Sequence, residues 1–210
     1  MSMIILLCRL LSLKQLRAWL KKLMIKLIVG LGNPGLQYEK TRHNAGFLFL
    51  DYLMNSRGAG WVANSQFHGE VGSLRIGAAK VELLKPMTFM NKSGLSVGKF
   101  IRYYKFKPED VLVVHDELEL AECVVRLKQD GGHAGHNGLR DIIAHINSRN
   151  FLRLRIGIGR PVAGGVADYV LSKPGNEMFS GLQKVFSDIE RELDLLVAGE
   201  VEQFNKVFNG

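Results

Sequence analysis

His43, Asp116 and the asparagines at positions 33, 91 and 137 are the residues of this chain whose types can do chemistry together. An imidazole can take a proton from water near neutral pH. A carboxylate on its other nitrogen fixes the tautomer and stabilises the imidazolium that forms. A neutral side-chain amide accepts from a water or substrate amide and also donates to a developing oxyanion. No serine sits in a recognisable nucleophile elbow, so the set points to hydrolysis by activated water. His43 reads as the base and Asp116 as the group that orients it. Asn33, Asn91 and Asn137 read as positioning amides, with Met87, Phe89 and Met90 as an apolar wall. Of these three, Phe89 is expected in the core.

Two other chemistries compete for the same residues. Gly30, Gly32 and Gly35 spell G-x-G-x-x-G after the apolar run Ile25 to Val29, the spacing of a dinucleotide cradle. Such a cradle needs a helix that begins inside the motif and an acid at the end of a second strand. Here the next helical pattern begins near Asn44, and the acid in question, Asp51, falls inside an apolar helical run. Arg42, His43 and Asn44 are also polar groups that a phosphate cradle does not require. The glycine-rich stretch 131–138 contains His133 and His136, which invite a metal reading with His115 and Asp116. A glycine loop holds metal ligands poorly, and no cysteine or His-x-x-x-His helix supports that reading. The loop suits exposure of backbone amides to a ligand. No metal and no cofactor is expected.

The elements that must position these residues alternate along the chain. Strands are expected at 25–29, 67–75, 80–85, 111–115, 123–128 and 153–158. Helices are expected at 44–56, 93–104, 137–146 and 178–197, with a break at Gly199 and a short final helix. The unbroken β-branched run from Val111 to Val114 is that of a strand covered on both faces. Alternating strands and helices argue for one α/β domain with a central mixed sheet flanked by helices. In such folds ligands bind beyond the carboxyl ends of the strands. The polar clusters sit at those places: Asn33 after the first strand, His43 and Asn44 before its helix, Asn91 after Lys85, and Asp116 at the end of the run from Val111.

The chain has 210 residues and a formal net charge of +8, enough length for one good core and a basic balance that suits a polyanionic partner. Residues 1–23 carry five cations and no acid, whereas 175–210 hold seven acids against three cations. The basic excess therefore belongs to the leader and the body, and the tail opposes it. Cys8 and Cys123 give no disulfide framework and suit a reducing compartment. The apolar part of the leader is interrupted by Arg9 and is too short to span a bilayer. The leader reads as an organellar transit segment, a surface helix or, as favoured here, the product of an upstream start codon before Met24. The domain expected is 24–210.

Six ordered motifs together resemble the bacterial-type peptidyl-tRNA hydrolase family: residues 29–35 (VGLGNPG), 41–46 (TRHNAG), 85–94 (KPMTFMNKSG), 114–118 (VHDEL), 136–139 (HNGL) and 151–159 (FLRLRIGIG). The resemblance runs from Met24 to about Gly175 and more loosely to the end. It implies a monomeric α/β globule with a twisted mixed sheet, cytoplasmic, needing no protein partner and no membrane. It implies hydrolysis of the ester between peptide and tRNA in peptidyl-tRNA. On this resemblance His43, Asp116 and Asn33 are catalytic. Asn91, Asn137, Met90 and Tyr38 contact the substrate, while Lys128 and Arg155 hold the 5′-terminal phosphate of the tRNA. Lys99, Arg102, Lys105 and Arg140 extend the basic surface. Three features depart from the family pattern: Ala134 at a usual glycine, Asp130 beside Lys128, and the leader. A catalytically silent RNA-binding relative is the alternative, and the intact His43, Asp116 and asparagines argue against it.

Overall fold

The computed structural model describes residues 25–77 and 79–209. Cys8, the proposed start at Met24 and the basic leader lie outside them. Among the described residues, seven strands form one sheet: β1 (Leu27–Gly30), β2 (Val62–Asn64), β3 (Gly69–Ile76), β4 (Ala79–Pro86), β5 (Val111–Glu117), β6 (Val125–Gln129) and β7 (Leu152–Gly157). Their order is β2-β3-β4-β1-β5-β7-β6. β4, β1, β5 and β7 are mutually parallel, while at the two sides β3 pairs antiparallel with β4, β2 with β3, and β6 with β7. The sheet is therefore mixed, and β1 and β5 lie in its interior.

Successive residues of a strand face opposite ways, so the apolar runs in β1 and β5 feed two cores. On one face, α1 (Ala45–Ser56), α5 (Asn176–Arg191), α6 (Leu193–Val197) and α7 (Val201–Asn209) bring Phe49, Phe186 and Phe204 onto Ile28, Leu112 and Leu154. On the other, α2 (Ser93–Tyr104) and α3 (Asn137–Ile146) bring Val97, Phe100 and Ile142 onto Leu27, Val29 and Val113. The Asn205 side chain of α7 accepts from the Leu127 N–H at 2.9 Å and donates to the Leu127 carbonyl at 2.8 Å. It thereby covers the outer edge of β6 in the place of a further strand.

The glycine fingerprint serves packing. A Cβ on Gly46 would stand 2.3 Å from the Leu31 nitrogen and 2.4 Å from the Val114 oxygen, and one on Gly30 would stand 2.5 Å from the Gly46 oxygen. The first turn of α1 thus lies directly on the ends of β1 and β5. The space beside Gly32 is filled by the Phe47 ring. No room is left there for a pyrophosphate, and the dinucleotide reading fails on sterics.

The expected elements are present with three differences. The helical stretch 178–197 is two helices, α5 and α6, parted at Glu192. The strand expected from residue 123 begins at Val125, because Cys123 has φ +63, outside the β region. β2 and the five-residue helix α4 (Val166–Val170) were not anticipated, since a short exposed strand and a single helical turn carry almost no periodic signal.

Candidate active site

The carboxyl ends of β1, β4 and β5 open into a cavity of about 810 Å³, lined by Asn33, His43, Asn91, Asp116, His136 and Asn137 among others. Asn33 follows β1 and is almost fully buried. Its main chain is held on both sides by Asn44, whose Oδ1 accepts from the Asn33 N–H at 2.9 Å and whose Nδ2 donates to the Asn33 carbonyl at 3.0 Å. The Asn33 Oδ1 accepts from the Met90 N–H at 2.8 Å. That fixes the amide's orientation and leaves its NH₂ as the group available to a ligand.

His43 sits on a single 3-10 turn, Arg42–Asn44, that leads into α1. Its Nδ1 donates to Asp116 Oδ1 at 2.9 Å, across 73 residues of sequence. His136 Nε2 donates to the same oxygen at 3.0 Å. The tautomer of His136 follows from its second nitrogen: Nδ1 accepts from the N–H groups of Gly138 and Leu139 at the start of α3, so the proton belongs on Nε2. Burial pushes the Asp116 carboxyl up, but the charges and hydrogen bonds of the two imidazoles outweigh it, and the group is held well below the usual carboxylate range. Burial pushes His43 down, while the Asp116 charge and hydrogen bond push it up, and the net direction is up. With Nδ1–H committed to the carboxylate, the Nε2 lone pair of His43 is free to act as a base.

His115 is neighbour to this pair but plays a different part. Its Nδ1 donates to the Asp116 carbonyl at 2.7 Å, and its ring stands edge-on to His136 at 5.0 Å between centroids. Burial, followed by the nearby His136, pushes its pKa down to about 3. It is a neutral prop for the strand end.

The ligand atoms of His43, Asp116 and His136 lie within 4.8 Å of one another. An ion among them would replace both N–H···O bonds and drive the His136 proton onto Nδ1, against two backbone N–H donors. This donor set does not fit a resident metal.

Asn91 is exposed on the 3-10 turn Met90–Lys92, and Met90 is a buried part of the cavity wall. Asn137 opens α3, its Oδ1 accepting from Arg140 Nη2 at 2.7 Å. Phe89 corrects the sequence expectation: it is 55% exposed and lines the cavity. It precedes the turn with extended backbone. Met87 is also exposed and does not line the cavity. Tyr38 stands outside the cavity, edge-on to Phe89 at 6.3 Å.

Lys128 lies opposite Arg153, and Arg155 opposite Arg126, in the β6–β7 pair, so Lys128 and Arg155 are diagonal neighbours on one sheet face. Arg155 Nε donates to Glu117 Oε2 at 2.8 Å, which fixes its side chain. Asp130 turns its carboxylate onto the Gly131 N–H and forms no ion pair with Lys128 among the described residues. Ala134 takes a left-handed conformation, φ +45, where glycine is less strained.

Sequence reasoning missed three contributors. In the sequence His136 carries a metal reading, a helix-start position and a place in the 136–139 motif, and none of these points to Asp116. Asn44 gave one usable signal, a polar side chain at a helix start. Arg153 is buried and donates to the carbonyls of Gly131 and Gly132, anchoring the glycine loop, but an arginine in a strand looks like a surface cation.

The whole chain from β1 onward matches known proteins. A family model described as peptidyl-tRNA hydrolase covers residues 27–210. A peptidyl-tRNA hydrolase of Methylococcus capsulatus is 54% identical over 184 residues, spanning 86% of this chain and 96% of the relative. That of Dichelobacter nodosus is 48% identical over 175 residues, spanning 83% and 93%. A crystal structure of peptidyl-tRNA hydrolase from Acinetobacter baumannii superposes with a TM-score of 0.81 at 46% identity, covering 88% of this chain and 93% of that one. With both sequence and fold matched over nearly the full length, the chain belongs to the peptidyl-tRNA hydrolase family.

Proposed function

We propose that this protein hydrolyses the ester between peptide and tRNA in peptidyl-tRNA, using a water activated by His43. The observation that carries the reading is the 2.9 Å bond from His43 Nδ1 to a buried carboxylate, which leaves Nε2 as base in a cavity lined by three asparagines. Water attacks the ester carbonyl carbon while His43 Nε2 takes its proton. The charge that develops on the carbonyl oxygen is met by the Asn33 NH₂. Collapse breaks the carbon–oxygen bond to the ribose. The proton on His43 passes to the departing oxygen, giving the tRNA hydroxyl and the peptide acid. An ester has a better leaving group than an amide, so a base and oxyanion donors suffice without a covalent step.

Asn91, Asn137 and Met90 face the substrate within the cavity, and Tyr38 reaches it only through the exposed side of Phe89. Lys128 and Arg155 take the 5′-terminal phosphate. Arg140, beside Asn137 on α3, extends this basic surface. The unit is the single domain 24–210, acting as a monomer in the cytoplasm. No helix among the described residues is long and apolar enough to cross a membrane.

The test is release of peptide from peptidyl-tRNA by the wild-type protein and by His43→Ala. The expected loss in kcat is about 10²–10⁴-fold, and a chelator should leave the wild type unaffected. A folded wild-type protein that retards tRNA in a gel without hydrolysing it would overturn the reading in favour of an RNA binder.

A further inference from the structure

Arg42 precedes the base, and nothing in the reaction above uses it. One nitrogen and the face of its guanidinium are nonetheless engaged, while its buried Nε has no partner among the described residues. Nη1 donates to Ser172 Oγ at 2.7 Å and to the Lys173 carbonyl at 2.9 Å. The guanidinium stands 4.4 Å over the Tyr169 ring. The Arg42 N–H donates to the Ser172 carbonyl at 3.1 Å. What it holds is α4 and the turn after it, which supply Val166, Ala167, Val170 and Leu171 to the cavity lining.

This wall cannot hold itself. A five-residue helix is far below the length at which helices persist alone. Val170 and the partly buried Tyr169 are the α4 side chains that reach the core, while Val166 and Leu171 are 44% and 42% exposed, so apolar burial fixes the segment at one end of the helix only. Tyr169 is anchored from below, its hydroxyl donating to the Ile158 carbonyl at 2.5 Å. From above it is covered by Arg42. A planar guanidinium can lie flat on the ring while its Nη1 donates to two oxygens; a lysine ammonium has donors for the two oxygens but no planar face to stack on the ring at the same time.

From this geometry we infer that Arg42 is a positioning residue that ties the α4 wall to the His43 turn. The apolar wall that grips the substrate and the imidazole that activates the attacking water thereby keep one register. The inference rests on the cavity being the peptidyl-tRNA site, and it assigns Arg42 to retention of substrate and not to the chemical step.

The test has a substrate-free arm and a kinetic arm. Amide exchange at Tyr169, Leu171 and Ser172 should quicken about tenfold in both Arg42→Lys and Arg42→Met, as expected for loss of one or two hydrogen bonds and a stack. KM for peptidyl-tRNA should rise about tenfold with kcat within about threefold of wild type, the pattern of lost uniform binding. Combining Arg42→Met with Tyr169→Leu should add little to the worse single change. Should Tyr169→Leu fail to fold, Ser172→Ala takes its place in that cycle. The inference fails if exchange is unchanged in both Arg42 variants. It also fails if Arg42→Lys behaves as wild type, if kcat falls while KM holds, or if the paired changes are additive. A wild type without hydrolysis would sink the hydrolase reading alone and leave the exchange measurement to judge Arg42.

Discussion

Asp116 carries two imidazoles on one carboxylate oxygen, and the site's electrostatics follow from that single atom. The carboxylate is held below its usual range, so it stays ionised throughout the working pH. In turn it raises His43 above 6.5 against the opposing effect of burial. A base must be neutral to act, so the rate of the wild type falls as pH drops through that raised value. The acid limb of the pH–rate profile is expected above pH 6.5. Asp116→Asn removes the charge and leaves both rings only a neutral amide oxygen as acceptor. It should lower kcat about 10²–10⁴-fold and move the acid limb to lower pH, because burial then dominates. A limb at the wild-type position would overturn the assignment. His43 protonation also has a sign in stability: with its folded value raised, the stabilisation is full below the unfolded value and is lost as pH rises through the folded one.

At the scale of elements, the site depends on how closely α1 approaches the ends of β1 and β5. The His43 turn can reach Asp116 only because Gly30 and Gly46 let backbone lie against backbone. Gly46→Ala places a methyl group 2.3–2.4 Å from main-chain atoms of residues 31 and 114, which cannot rotate away. The expected cost is at least about 1–3 kcal/mol of stability, measured by chemical denaturation, with activity falling as the His43 turn is displaced. Gly60→Ala, which meets nothing within 4 Å, is the control and should stay within about 0.5 kcal/mol of wild type. Equal stabilities for the two variants would refute the close-packing account. The same close approach explains why the glycine spacing imitates a dinucleotide motif. Both uses need a glycine where a helix meets a strand.

For the whole molecule, the basic balance acquires a direction only from the fold. The net charge of +8 sits in the leader and the body against an acidic tail, and β6 and β7 place Lys128 and Arg155 on one face, where Arg155 bonds the cavity-lining Glu117. Lys128 is exposed and Arg155 is steered by Glu117. Lys128→Ala should weaken tRNA binding and lower the slope of log affinity against log salt by about one. An unchanged slope would remove the phosphate assignment. The sequence alone determined the α/β class and the strand-end grouping of polar residues, and it nominated His43, Asp116 and Asn33 as candidates, because periodicity and residue chemistry are local properties. It did not reveal that His136 shares Asp116, that Phe89 faces outward, or that Arg42 holds α4. Each of these depends on strand order and loop path, which bring together residues distant in sequence, and no local pattern encodes a distance. Whether His43 and Asp116 meet at 2.9 Å was decided by the tertiary structure, which sets β1 beside β5 and lays the start of α1 across both.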